Sequence, residues 1–419
     1  MTEHQSMPKE GGLDHSLKLL KEGYQFILNR RHTFQSNVFE TKLLAEKAIC
    51  LTGKEAAKVF YDNDKFTRVG AAPKRVQKTL FGEGGVQGLD GEEHHHRKQM
   101  FMSLMTKDSL QEVIELTENE WSEATAKWEL EADKIVLYDE AKKILTQVAC
   151  KWTGVPVKEG ELDQLAEELG EMFETAAALG PSHWKGRRAR SKIEDWMEEL
   201  VQKVRDEEVN PPKDKALYTF SFHRDLEGNL LPKEVAAVEL INLLRPIVAI
   251  SVYIGFTALA VHQYPEEVEK LKSNDDDHLQ RFVQEVRRFY PFFPFTAARV
   301  REDFTWEGYE FKEGTMTLLD LYGTNHHPED WENPDRFDPD RFKTWDGSPF
   351  DFIPQGGGEF DIGHRCAGEW ITIDIMKVSL SHLVNQMTYD MPEQDLAFSM
   401  TDIPSLPESK IVMEHIKRM

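Results

Sequence analysis

Three motifs follow one another in the last third of the 419-residue chain. An E-x-x-R motif occupies residues 285–288, W-x-x-P-x-x-F-x-P-x-R-F occupies residues 331–342, and a glycine-rich segment surrounds Cys366. Glu285 and Arg288 share one helix face because they are three residues apart, and Arg341 from the second motif can join them in a buried ion network. An E-x-x-R alone recurs by chance, but this ordered set is uncommon and strongly constrains the fold.

The glycine-rich segment presents a single cysteine, Cys366, on a flexible loop. Glycines at positions 356, 357, 358 and 363 let the backbone turn and lie close to a flat ring system, which a residue with a Cβ would obstruct. An isolated cysteine is most often an ordinary buried thiol, but the two preceding motifs favour a different interpretation. The pattern is typical of a loop that offers a thiolate to a haem iron, and such a ligand favours cleavage of an O–O bond.

With these motifs the chain resembles the cytochrome P450 superfamily over nearly its whole length. The resemblance implies a mainly α fold with small β-sheets, arranged as a triangular helical prism in which haem lies buried between two long helices. Cys366 is then the axial ligand of the iron in haem b. Relative to the usual loop of the superfamily, residues 358–363 look like a short insertion. We expect one cytochrome P450-like domain over residues 1–419, because no linker, repeat, flavin module or iron–sulfur module divides the sequence.

The resemblance also implies a set of haem contacts around this ligand. His94 and Lys98 lie at i and i+4 on one helix face and match positions where the superfamily binds a haem propionate. Three adjacent histidines, at positions 94–96, point in different directions on a helix, so we do not expect them to bind one metal ion together. Arg97 can share the propionate contact. The expected cofactor contacts besides Cys366 are His94, Lys98, His364, Arg365 and Gly368.

The long apolar helix that crosses the distal face of the haem departs from the superfamily's pattern. Its usual acid and threonine, which deliver protons to bound dioxygen, are replaced by Arg245 and Pro246. No formally charged residue occurs in residues 247–261, so Arg245 heads a segment that is buried or faces a cavity. A buried guanidinium without a partner is costly, and it therefore requires an anionic partner. The carboxylate of a ligand or of the protein itself meets that requirement.

This Arg-Pro pair is similar to that of the hydrogen-peroxide-dependent fatty-acid peroxygenases of the superfamily. The resemblance implies that Arg245 binds a long-chain fatty acid by its carboxylate through a planar two-point fork. The bound carboxylate then serves as the missing acid–base group, and Pro246 kinks the helix and opens room above the haem. The expected reaction is hydroxylation at the α or β carbon, with oxidative decarboxylation to a terminal alkene as a competing outcome.

Three further residues are candidates for control of substrate and product. At the position of Gln87, relatives known mainly for hydroxylation carry glutamine and relatives that favour decarboxylation carry histidine, so the resemblance implies mainly hydroxylation. Histidine passes a proton near neutral pH, whereas glutamine only forms hydrogen bonds. The alternative for Gln87 is a polar residue on the loop surface. Phe81 and Phe293 are expected to contact the alkyl chain, and ordinary core packing is their alternative.

The composition bears on partners and location. The 51 basic and 74 acidic residues give a formal charge of -23, which disfavours nucleic acid and anionic membranes. Three cysteines make no disulfide framework and suit a reducing compartment. Residues 1–10 are polar, unlike a secretory signal, and the apolar run at residues 247–261 is shorter than the ~20 residues that span a bilayer. We therefore expect a cytoplasmic protein without a membrane anchor.

Two alternatives to a peroxygenase stay open at this point. The first is a conventional monooxygenase that takes electrons from a ferredoxin and its reductase. The second is a non-catalytic haem-bound carrier or sensor of fatty acids. The peroxygenase hypothesis names a fatty acid and hydrogen peroxide as the molecules bound, and it requires no obligatory redox partner.

Overall fold

Helices form most of the molecule, and the computed structural model describes residues 6–158, 160–272 and 276–419. The expected polar N-terminus and the expected single domain over residues 1–419 include positions outside the described residues. The helices, in chain order, are α1 (Ser16–Glu22), α2 (Gln25–Phe34), α3 (Lys54–Phe60), α4 (Lys74–Val76), α5 (Gly91–Met102), α6 (Lys107–Glu131), α7 (Leu137–Thr153), α8 (Leu162–Glu174), α9 (Pro181–Arg205), α10 (Ala216–Ser221), α11 (Lys233–Gln263), α12 (Pro265–Leu271), α13 (Asp276–Phe289), α14 (Leu321–Asn325) and α15 (Glu369–Ser381).

The strands are short and form three small sheets. Their bounds are β1 (Val38–Leu43), β2 (Glu46–Leu51), β3 (Phe66–Thr67), β4 (Lys134–Val136), β5 (Phe295–Val300), β6 (Phe304–Trp306), β7 (Tyr309–Phe311), β8 (Met316–Asp320), β9 (Met387–Asp390) and β10 (Val412–Arg418). The largest sheet has the order β1-β2-β8-β5-β3, in which only β2 and β8 are parallel. Strands β6 and β7 form a separate two-stranded antiparallel hairpin. The prediction of a mainly helical fold with small sheets is therefore confirmed.

Helix α11 forms the centre of the helical part of the molecule. It is 31 residues long and apolar on nearly all sides, as expected for a helix surrounded by protein, and it packs against α7, α8, α9 and α15. Within the described residues it is the one helix long and apolar enough to cross a membrane, but 89% of its most apolar window is buried in the fold. The helix continues through Pro246 without interruption.

The E-x-x-R motif and the segment after it tie α13 to the loops that precede Cys366. The Arg288 Nε atom lies 2.7 Å from Glu285 Oε2, and the Arg341 Nε atom lies 3.2 Å from Glu285 Oε1. Both members of the first pair are fully buried. The indole of Trp331 donates to the carbonyl of Asp351, 3.2 Å away. The three motifs found in the sequence thus form one connected framework beneath the cysteine loop.

Candidate active site

The loop before Cys366 is shaped by glycines that no other residue can replace without strain. Gly356 and Gly358 have φ angles of +88° and +84°, a region that L side chains rarely adopt. A Cβ added at Gly357 would lie 2.5 Å from the carbonyl oxygen of Pro349 and 3.1 Å from the ring of Tyr61. The loop therefore lies directly against Tyr61, and Cys366 follows it just before α15 begins.

Cys366 lies in a charged setting. Burial raises the pKa of its thiol, Glu369 raises it further, and the cations Lys98 and Arg287 oppose these effects. The Gln355 amide nitrogen lies 3.9 Å from the Sγ atom, and its amide oxygen accepts a hydrogen bond from Arg287 at 2.9 Å. A metal ion on the sulfur would remove the thiol proton, and the two nearby cations favour the resulting thiolate.

Lys98 reaches the cysteine loop from α5 and donates to the backbone carbonyls of Gly363 and Arg365, the latter at 2.7 Å. Burial lowers the pKa of Lys98 to about 8. Arg365 itself donates to Glu369 at 2.6 Å, and a Cβ added at Gly368 would lie 4.0 Å from Cys366 Sγ. Lys98, Arg365 and Gly368 therefore meet at Cys366.

Two histidines complete this side of the site. The rings of His94 and His364 have their centres 4.0 Å apart, and His364 Nε2 lies 3.4 Å from Asp90 Oδ1. Burial, together with the charges of His364 and Lys98, lowers the pKa of His94 to about 3, so this ring is neutral at physiological pH. The structure thus brings both expected histidines together beside the loop.

Arg68 is a further candidate that the sequence motifs did not identify. Its guanidinium is buried, lies 4.4 Å from the ring centre of Phe60, and donates to the Phe60 carbonyl at 3.4 Å. No carboxylate of the described residues lies within 4.0 Å of it, and burial lowers its pKa to about 10. Arg68 and its neighbour Tyr61 lie in a segment without a motif, so only the tertiary fold connects them with the cysteine loop.

Arg245 is buried in α11 without a counter-ion. The side chain is 5% exposed, its Nε atom has no hydrogen-bond partner, and its guanidinium donates only to Asn242 Oδ1 at 3.5 Å. Across the ranges that the structure describes, no carboxylate lies within 4.0 Å of this guanidinium. Burial lowers the pKa of Arg245 to about 9, nearby Arg190 lowers it too, and Cys366 raises it. Cys366 and Arg245 are therefore within electrostatic range of each other, and the protein carboxylate considered as a partner is not present.

Gln87 lies close to this arginine, in the turn Val86–Gly88, where its side-chain oxygen accepts from Asn242 Nδ2 at 3.3 Å. Asn242 therefore contacts both Gln87 and Arg245. Phe81 and Phe293 are partly buried against the main apolar core, and the Phe293 ring centre lies 4.7 Å from that of Phe292.

Arg97 does not contact the cysteine loop as its neighbours in α5 do. Its Nη1 atom lies 2.9 Å from Glu239 Oε1 on α11. This ion pair joins α5 to α11, and a share of Arg97 in the propionate contact stays a prediction. The signal for this pair was absent from the sequence because Arg97 and Glu239 are 142 positions apart.

Comparisons with known proteins agree with this geometry. The family model described as cytochrome P450 matches residues 15–414. The solved structure of cytochrome P450EX alpha with myristic acid is 54% identical, with a TM-score of 0.96, over 99% of this chain and all of that chain. Cytochrome P450SP alpha in complex with (R)-ibuprofen is 45% identical, with a TM-score of 0.95, over 97% and 99% of the two chains. A variant of cytochrome P450 OleT in complex with arachidonic acid is 38% identical, with a TM-score of 0.96, over 99% of each.

Proposed function

Because the chain belongs to the cytochrome P450 family, we propose that it is a haem-thiolate peroxygenase acting on long-chain fatty acids. It uses hydrogen peroxide to hydroxylate the α or β carbon, with oxidative decarboxylation to a terminal alkene as the competing outcome. One observation carries the proposal: the guanidinium of Arg245 is buried beside the cysteine site, and no carboxylate of the described residues pairs with it.

The chemistry of Arg245 selects the class of substrate. An unpaired buried charge costs several kcal/mol, and a carboxylate bound through two of the three guanidinium nitrogens removes that cost. The ligands in the three similar structures, myristic acid, (R)-ibuprofen and arachidonic acid, are all carboxylic acids. We therefore assign the carboxylate of the fatty acid to Arg245 and its alkyl chain to the apolar surroundings that include Phe81 and Phe293.

The residues around Cys366 fit a haem group. Cys366 would ligate the iron, and Gly368 leaves the following helix close to the sulfur. Four basic side chains, Arg68, His94, Lys98 and His364, would bind the propionates of haem b, with Arg365 beside them; Arg68 in particular has no carboxylate partner of its own among the described residues. When bound, the haem supplies the iron centre that reacts with peroxide, and thiolate ligation favours O–O cleavage.

The side chains of this protein account for the expected regiochemistry. Arg245 holds the head of the fatty acid near the cysteine site, so the carbons next to the carboxylate come closest to the reacting centre. The apolar part of α11 beyond Pro246 offers no acid of its own, and the bound carboxylate therefore supplies acid–base help at hydrogen-bond distance. Gln87 does not exchange a proton near neutral pH, which favours hydroxy acid over alkene.

The proposal includes a cytoplasmic location, no membrane anchor, no nucleic-acid partner and no obligatory redox partner. The formal charge of -23 supports it, since an acidic surface is repelled by nucleic acid and anionic lipid. The burial of most of α11 inside the fold also supports it.

The test is product analysis by mass spectrometry of the holoenzyme with a C14 fatty acid and hydrogen peroxide, without a reductase. Hydroxy acid or alkene is the expected result. Turnover only with ferredoxin, reductase and NADPH would instead identify a conventional monooxygenase. Fatty-acid binding without product under either condition would identify a carrier or sensor.

Replacing Arg245 by leucine tests whether this residue binds the carboxylate of the fatty acid. Loss of a charge-assisted, two-point contact should weaken fatty-acid binding by about 100-fold, or ~3 kcal/mol, while haem content and the carbonyl-complex spectrum stay unchanged. Spectral titration with myristic acid measures the affinity. Arg245→Lys keeps the charge without the planar fork and should bind with intermediate affinity. Wild-type affinity in Arg245→Leu would refute the assignment.

A further inference from the structure

A buried chain of polar groups runs along α11 toward Arg245. Glu239, Asn242 and Arg245 are spaced three residues apart, so each side chain is a neighbour of the next on the helix surface. Glu239 is completely buried; it accepts from Arg97 Nη1 at 2.9 Å and from Asn242 Nδ2 at 3.1 Å. Asn242 Oδ1 then accepts from Arg245 at 3.5 Å.

The chain of hydrogen bonds has a fixed direction. The amide nitrogen of Asn242 only donates, and two acceptors face it, Glu239 Oε2 and Gln87 Oε1. The amide oxygen is therefore the end that faces Arg245, whose guanidinium offers only donors. If the amide were reversed, donors would face donors at Arg245 and acceptors would face acceptors at Glu239. The carboxylate of Glu239 thus sets the orientation of the group that holds Arg245.

Both ends of this chain of hydrogen bonds, Glu239 and Arg245, carry a buried charge. Glu239 is a buried carboxylate on the same helix as a buried arginine that lacks a counter-ion, and only the amide of Asn242 separates them. A direct contact of Glu239 with Arg245 would occupy the guanidinium. Glu239 is instead paired with Arg97, which within the described parts of the chain is the cation that lies within 4.0 Å of it.

We propose that the ion pair between Arg97 and Glu239 is a positioning device for the substrate carboxylate. Arg97, coming from α5, neutralises Glu239, which then orients Asn242 without competing for Arg245. The guanidinium of Arg245 stays available for the fatty acid. Arg97 and Glu239 act through Asn242 and Arg245 and are positioning residues. This inference rests on the proposed function of Arg245 as the carboxylate anchor.

The test compares holoenzyme variants by spectral titration with myristic acid and by steady-state kinetics with peroxide. Arg97→Gln leaves Glu239 uncompensated next to Arg245, so the dissociation constant and KM for myristic acid should rise by at least about tenfold, with a much smaller change in kcat. The double variant Arg97→Gln/Glu239→Gln removes the competing carboxylate and should return both constants to within about threefold of the wild type. This recovery distinguishes positioning from a merely structural role.

Two further variants keep the outcome unambiguous. Arg97→Lys retains the cation and should bind myristic acid as the wild type does; a tenfold loss in this variant would contradict the inference even if Arg97→Gln does not fold. Arg418→Gln breaks the exposed pair between Arg418 and Glu129 and serves as the matched control, with unchanged affinity expected.

The remaining outcomes separate this inference from the proposed function. If the wild type binds myristic acid and Arg97→Gln binds it equally well, the positioning role is wrong and the proposed function stands. If the double variant stays as weak as Arg97→Gln, or if haem content falls with affinity, Arg97 supports the haem or the fold and the inference is overturned. If the wild-type holoenzyme does not bind myristic acid, the proposed function itself fails.

Discussion

Two arginines of this protein share an unusual property. Arg68 and Arg245 are both buried, and neither has a carboxylate within 4.0 Å among the described residues. Burial lowers the pKa of each guanidinium, to about 10 and about 9, yet both remain charged at physiological pH. Two uncompensated charges in one interior indicate two bound anions, which we assign to a haem propionate and a substrate carboxylate.

Replacing Arg68 by leucine should therefore weaken haem retention and leave the fatty-acid contact at Arg245 in place. Loss of one charge-assisted contact corresponds to about 2 kcal/mol, or roughly a 30-fold faster loss of haem to an acceptor protein. Transfer of haem to apomyoglobin measures this rate. Wild-type haem retention in Arg68→Leu would show that this guanidinium serves no propionate.

Replacing Gln87 by histidine should raise the ratio of alkene to hydroxy acid severalfold. The physical reason is that an imidazole exchanges a proton near neutral pH, whereas an amide does not. Gas chromatography with mass spectrometry of the products from a C14 fatty acid measures the ratio. An unchanged ratio would leave Gln87 with the loop-surface role that the sequence also allowed.

At the scale of elements, the motifs that could be predicted are those in which neighbours in sequence are neighbours in space. Local spacing in the sequence predicts the E-x-x-R pair, the glycine loop before Cys366 and the apolar run in α11. It does not predict the pair of Arg97 with Glu239, because its members lie 142 positions apart, and Arg68 lies in a segment without a motif. Such contacts arise only when α5, α11 and the first sheet pack together, so sequence spacing contains no signal for them.

The junction of β8 and α14 gives a pH-dependent prediction. Asp320 caps α14 by accepting from the Gly323 amide at 2.7 Å, its Oδ2 atom has no partner, and burial raises the pKa of Asp320 to about 7. Because the pKa of Asp320 is raised in the folded state, its protonated carboxyl group contributes stability that is fully present below the ordinary pKa of 3.8. This contribution is lost as the pH rises through about 7.

Asparagine at position 320 retains an acceptor for the cap and never ionises. We expect Asp320→Asn to be more stable than the wild type at pH 8.5, by about 1–3 kcal/mol, and to lose this advantage progressively as the pH falls from about 7 toward 3.8. Thermal unfolding followed across this pH range measures the difference. A difference that is constant with pH would show that Asp320 does not titrate in this range.

At the scale of the whole molecule, buried cations come from three separate segments, namely α5, the residue after β3, and α11. Lys98, Arg68 and Arg245 are all buried cations, although the chain as a whole is strongly acidic. The net charge of the chain therefore contains no information on the charge of the site. The local positive interior became visible only through burial and pairing in the fold.

Removal of haem should therefore destabilise this protein more than the loss of apolar contacts alone explains. Buried cations that lose their anionic partner pay a desolvation cost, and a tightly bound ligand adds RT ln(1 + [L]/Kd) to stability. We expect the melting temperature of the apoprotein to lie at least ~10 °C below that of the holoprotein. Calorimetry of the two forms tests this, and equal melting temperatures would contradict the assignment of the cationic site.

The proline that follows Arg245 has a mechanical consequence. Pro246 lacks the amide hydrogen that would bond to the carbonyl of Asn242 four residues earlier. One backbone hydrogen bond of α11 is therefore missing at the turn that contains Arg245. The neighbouring backbone hydrogen bonds still span this turn, because α11 is continuous through Pro246. Glu239, Asn242 and Arg245 all lie on the N-terminal side of Pro246, so bending of the helix at the missing hydrogen bond would move the three side chains together.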